Sequence, residues 1–244
     1  MKILHIDIET APHKVYTWGL WGQDISTKNI IEAGYTMCWA AKWDGKREVM
    51  FDSVHESKPE KMIKNVYDLL SQADAVVHYN GAKFDMPTLQ KEFFMLGLAP
   101  LDYKQIDLLK VARRKFKFAS NKLDYICQQL NLGSKVKHMG MELWKDCMDG
   151  DEKAWKIMKK YNKQDVVIME RLYHNMLAWI DAHPNRGLYI DSNDPVCRNC
   201  GSKDLMKNGK KMTNTGVYQR YQCKGCGKIT RSRQQMEKHE GVTV

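Results

Sequence analysis

The sequence lacks any run of about 18 apolar residues, so no membrane-spanning helix is expected. Its opening, MKILHIDIET, has neither the long apolar stretch nor the cleavage site of a secretory signal, which predicts a cytoplasmic protein. Internal repeats and low-complexity segments are absent as well. Seven cysteines in a reducing compartment argue against a disulfide framework. What is present is 244 residues with 43% hydrophobic content, enough for one sizeable core and a small second unit. The net charge of +10 is unevenly placed. Residues 186–244 hold 12 Lys/Arg against 5 Asp/Glu, whereas the preceding residues hold 27 against 24. A basic appendage on a nearly balanced body suits a polyanionic partner.

Periodicity predicts strands at 2–8, 35–43, 47–54, 73–80 and 103–109, with Asp44-Gly45 as a hairpin turn. Helices are expected at 58–72, 86–98, 121–131, 141–148, 151–160 and 162–180. The early hairpin is antiparallel and the later strand–helix–strand alternation parallel, which predicts an α/β fold with a mixed sheet of about five strands. The expected organisation is a main domain over 1–182, a linker at 183–193, a small unit at 194–233 and a flexible tail at 234–244.

Two acids end the first strand, in ILHIDIETA. Period two places Asp7 and Glu9 on one face, where unpaired charge near a core is costly. HYNGAKFD puts Asp85 between a strand and a helix. YNKQD puts Tyr161 and Asp165 four residues apart on a helix face that continues through Ile168, Met169 and Leu172, so Asp165 should point inward. Four hard carboxylates converging from three segments would suit two Mg²⁺ or Mn²⁺ ions, the arrangement that clamps both oxygens in phosphoryl transfer.

The motifs DIET, NGAKFD and YNKQD together resemble those of the DEDD exonuclease superfamily, and the tyrosine marks its DEDDy branch. The Asn80-x-x-x-Phe84-Asp85 pattern is similar to the proofreading domains of family-B DNA polymerases. The stretches DIETAPHKVYTWGLWGQDI and LGSKVKHMGMELW also resemble phage-type members. The resemblance, over roughly 1–180, implies a ribonuclease H-like fold and 3′→5′ removal of nucleotides, with DNA favoured and replication proteins as candidate partners. It implies metal ligation by Asp7, Glu9, Asp85 and Asp165, with Tyr161 orienting the attacking water. The histidine-type branch would need His where this chain has Lys160. A DDE-type transposase or integrase, or a non-catalytic nucleic-acid adaptor, are the rival readings.

Asn80 and Phe84 are expected to shape the turn and wall a cleft, and Lys135 and Lys137 to meet phosphates. Trp18 and Trp21 are expected to pack a long loop against the core, with stacking on terminal bases as the alternative. Near the C-terminus, Cys197-x₂-Cys200 and Cys223-x₂-Cys226 form two knuckles whose four thiolates select one structural Zn²⁺. So short a segment needs the metal's binding energy to fold. It resembles the zinc ribbons of some insertion-sequence transposases, which implies nucleic-acid contacts through Lys210, Lys211, Arg220, Arg231 and Arg233. Docking to a protein is the other reading of this unit.

Overall fold

A computed structural model describes residues 1–137, 139–191 and 194–237. In chain order the strands are β1 (Ile3–Thr10), β2 (Lys14–Val15), β3 (Ile30–Glu32), β4 (Thr36–Trp43), β5 (Met50–Ser53), β6 (Ala75–His78) and β7 (Lys104–Asp107). The helices are α1 (Pro59–Ser71), α2 (Asp85–Met95), α3 (Leu108–Lys115), α4 (Leu123–Gln129), α5 (Met141–Met148) and α6 (Glu152–Met176). Strands β8 (Leu205–Thr213), β9 (Gly216–Cys223) and β10 (Ile229–Glu237) follow.

Five strands make one mixed sheet in the order β5-β4-β1-β6-β7. The β1–β4 and β4–β5 pairs are antiparallel, whereas β1–β6 and β6–β7 are parallel. Central β1 alternates between two cores, as period two requires. Leu4, Ile6 and Ile8 face α1 and α2, against Met62, Val66, Leu89 and Phe93. The opposite face, with Ile3 and Val77, meets α3, α4 and α6 through Leu108, Ile126, Ile168 and Leu172. Asp7 and Glu9 belong to that second face, so α6 is the element they meet.

Two boundaries depart from the pattern read in the sequence. The strand expected to reach residue 109 stops at Asp107, whose carboxylate accepts hydrogen bonds from the N–H groups of Leu109 and Lys110 and starts α3. The two helices expected at 151–160 and 162–180 are one 25-residue helix. No Pro or Gly interrupts that stretch, so nothing breaks the ladder between them.

The C-terminal strands form a separate antiparallel sheet, β10-β9-β8. Of the stretch expected as a linker, Ser192 and Asn193 lie outside the described residues; the rest includes a 3-10 turn at Arg186–Tyr189 and a buried His183. Of the expected tail, residues 234–237 belong to β10 and 238–244 lie outside the described residues. Among the described residues no helix is long and apolar enough to cross a membrane.

Candidate active site

The site forms where β6 runs out. β6 pairs with β1 only over Ile3–His5, so the end of β1 lacks a parallel neighbour. The N–H of Ile8 is instead taken by the Asp85 carboxylate, Oδ1 at 3.1 Å. Asp85 is delivered by a tight turn after β6. Asn80 adopts a left-handed φ of 68°, and its N–H donates to Asp107 Oδ1 at 3.0 Å. Gly81 follows because a Cβ there would lie 2.5 Å from the His78 ring. Phe84 is the residue before α2 and stands half-exposed at the rim.

On the facing side, α6 turns Tyr161, Asn162 and Asp165 inward, all buried. One carboxylate oxygen each from Asp7, Glu9 and Asp165 lies within 4.8 Å of the other two. Asp85 is not a member of this tightest group but is close enough to press on the charge of Asp7. The Tyr161 ring meets Trp144 of α5 edge-on, with centroids 6.0 Å apart. Structure therefore brings together the four acids and the tyrosine from three separate stretches of chain.

Negative charge is in excess here. Burial, then Asp85, Glu9 and Asp165, hold the Asp7 pKa well above the ordinary carboxylate range. Burial and Asp165 push Glu9 up to about 8. Burial raises Asp85 to about 6, against the bond from Ile8 N–H. Asp165 is also raised by burial, although Lys135 opposes the shift. The Lys135 ammonium sits against Asp165 and 3.1 Å from the Tyr161 hydroxyl. Burial would lower its pKa, but Asp165 and Tyr161 outweigh that and raise it. One lysine does not balance four acids, and Asp165 Oδ1 is buried with no hydrogen-bond partner among the described residues. Such a donor set, all hard oxygens with one orphaned, fits divalent cations.

Two positioning residues escape a motif reading. Asn162 donates its Nδ2 to Asp7 Oδ2 at 2.8 Å and fixes that carboxylate. Asp107 anchors the Asn80 turn while capping α3. Helix phase, which sets Asn162 on the face shared by Tyr161 and Asp165, was the available signal for it; the structure buries it completely.

The expected phosphate contacts are dispersed. Lys135 points into the acids, with its backbone N–H held by Asp124 at 2.8 Å. Lys137 is exposed on the loop that follows. Lys210 and Lys211 are exposed on β8, and Arg233 on β10. Arg231 lies over the Tyr218 ring, 4.0 Å from its centre. Arg220 reaches Asn208, donating to its backbone and side-chain oxygens. Trp18 and Trp21 are not in the core: they are 101% and 89% exposed.

The four C-terminal cysteines lie within 4.8 Å of one another. Sulfur separations of 3.6 Å (Cys197–Cys226) and 3.5 Å (Cys200–Cys223) are far beyond a bonded pair. They approach the edge of about 3.8 Å that a tetrahedron with ~2.3 Å Zn–S bonds requires. The cluster and its three-stranded sheet are compatible with a zinc ribbon.

The family model described as RNase_H superfamily matches residues 4–177. No curated protein matches the sequence. Among solved structures, a family B DNA polymerase from the hyperthermophilic archaeon Pyrobaculum calidifontis is similar, with a TM-score of 0.53 and 17% identity over 72% of this chain. The match spans 24% of the polymerase chain, and at that identity the likeness is one of fold.

Proposed function

The chain belongs to the RNase H superfamily, and from that membership we propose that it is a metal-dependent nuclease of the DEDDy type, releasing nucleotides from 3′ ends, with DNA the favoured substrate. The observation that carries this reading is the convergence of Asp7, Glu9 and Asp165 beside Tyr161, with Asp165 Oδ1 lacking a partner among the described residues. Asp7, Glu9, Asp85 and Asp165 would hold two Mg²⁺ or Mn²⁺ ions. Bound there, the ions supply Lewis acidity at the scissile phosphate and neutralise its charge. Asn162 keeps the Asp7 carboxylate aimed into the cluster. The Tyr161 hydroxyl, on the same inner face as Asp165, orients the water that attacks. Lys135, the counter-charge of Asp165, would meet a phosphate oxygen of the bound strand.

Cys197, Cys200, Cys223 and Cys226 would hold one structural Zn²⁺, supported by their sulfur separations. The exposed Lys210, Lys211, Arg231 and Arg233 give the ribbon a basic surface for a nucleic-acid backbone.

The test uses 3′- and 5′-labelled single strands of DNA and RNA, with and without Mg²⁺ or Mn²⁺. Stepwise release from the 3′ end is expected, only with metal. Asp7→Ala and Asp165→Asn should each cost at least about a hundredfold. Undiminished release in both purified variants would reject the site. Joined strands instead of released nucleotides would favour a transposase-like reaction.

A further inference from the structure

After Thr10 the chain leaves the body as an arm. The N–H of Ala11 donates to Tyr35 O at 2.9 Å and closes its base. β2 and β3 pair along its stem, with Lys14 bridged to Glu32, and Tyr16 N–H donates to Asn29 O at 2.9 Å. Beyond these rungs the tip carries Trp18, Leu20 and Trp21, each at least 88% exposed. Single exposed apolar residues are ordinary, but two indoles and a leucine within four positions are a patch that marks a binding surface.

The location of the patch narrows its occupant. The arm springs from the strand that carries Glu9, only two residues beyond it. Phe84, 45% exposed, stands beside Asp85. Trp144 meets Tyr161 edge-on. Aromatic rings on two elements thus adjoin a cluster suited to phosphate chemistry, and a third aromatic group is carried on the arm that continues the strand bearing Glu9. A strand with unpaired bases presents both partners at once: phosphates for the cluster and flat apolar faces for the rings. A paired duplex hides those faces within its stack. A lipid surface would call for basic residues beside the aromatics, whereas Lys14 and Lys28 on the arm are balanced by Glu32 and Asp24.

The geometry points to the arm as the base-stacking element for a single strand entering the acid cluster, with Trp18 and Trp21 as its contacts. This rests on the nuclease reading above and adds the form of the substrate. The experiment measures binding with Mg²⁺ and Mn²⁺ omitted, so that nothing is cut. Three labelled ligands of equal length are compared: a single strand, the same backbone without bases, and a blunt duplex. The intact protein should hold the single strand at least about tenfold tighter than the abasic strand. Trp18→Ala with Trp21→Ala should abolish that ratio and leave the abasic affinity as it was. Trp18→Phe with Trp21→Phe should keep most of the ratio, yet show markedly less of the tryptophan quenching that the base-bearing strand produces in the intact protein, Trp144 at the cluster being still present. That quenching decides the matter even where the alanine pair does not fold. A ratio near one in the intact protein, an undiminished ratio in the alanine pair, or undiminished quenching in the phenylalanine pair overturns the proposal. Metal-dependent release measured on the same proteins separates the two readings: intact release with an unchanged ratio rejects the arm alone, whereas no binding of any strand and no release rejects both.

Discussion

Glu9 and Lys135 carry opposite charges into one small volume, and each has a measurable consequence. Glu9 is crowded by Asp165 and Asp85 in a buried setting that disfavours its ionised form. Glu9→Gln should therefore melt about 2–4 °C higher in zinc-containing buffer without Mg²⁺ or Mn²⁺, while losing nucleotide release. A lower melting point would contradict the repulsion inferred for the cluster. Lys135→Met leaves Asp165 without its only charged partner among the described residues. A loss of about 1–3 kcal/mol is expected, and added Mg²⁺ should recover part of it in the same melt. Two relations were legible in the sequence because backbone periodicity fixes them: Asp7 and Glu9 two residues apart on a strand, and Tyr161 and Asp165 four apart on a helix. Asn162 and Asp107 were not, since their roles are bonds to residues distant in the chain. Trp18 and Trp21 were misread because composition gives hydrophobicity, not the direction a loop takes.

At the scale of elements, α6 joins the acid cluster to the C-terminal unit. Asp151 caps its start, accepting from Ala154 N–H at 2.7 Å. Past its end, the buried Asn199 donates to Leu177 O at 2.7 Å and to Ile180 O at 3.0 Å, so the cysteine knuckle closes the helix terminus. Gly201 completes that knuckle with φ +78°, and a Cβ there would strike Ile190 Cδ1 at 2.7 Å. Asn199→Ala should cost about 1–3 kcal/mol, because two buried carbonyls lose their donor; thermal melting checks it. His183 lies at the same junction, its Nδ1–H donating to Pro184 O at 2.6 Å and its Nε2 accepting from the Tyr173 hydroxyl at 2.7 Å. Burial depresses its pKa to about 4. Between about 6.5 and 4 the unfolded chain binds the proton and the folded one does not, so stability from this group falls as pH drops through that window. The stability gap between the intact protein and His183→Gln should narrow from pH 7 to pH 4.5. A constant gap would show that this histidine titrates alike folded and unfolded. Helix and strand existence was readable from apolar period. The β2–β3 stem was not, since two or three residues carry no period, and the β7–α3 boundary was hidden by an apolar run that suits either element.

For the whole molecule, the mixed character of the five-stranded sheet followed from the hairpin and the strand–helix–strand alternation, and a four-cysteine unit from spacing alone; the strand order did not. How that unit sits was invisible, because it depends on polar bonds spanning much of the chain. Arg186 pairs with Asp44 at the β4–β5 turn, and Lys228 reaches Asp181 at 3.2 Å. Cys200 and Cys226 also rest on the core between the sheet and α6. With the proposed zinc in place, a chelator should therefore lower the unfolding temperature of the entire protein, and calorimetry should record one transition. Two separate transitions, with the main one unmoved by the chelator, would mean that the halves melt independently.

The seat of the knuckle on the end of α6 also limits how the protein can be divided. A chain cut after residue 182 would uncover the carbonyls of Leu177 and Ile180 and the apolar ground beneath Cys200 and Cys226. Such a fragment would self-associate in solution although every proposed catalytic side chain was still in it.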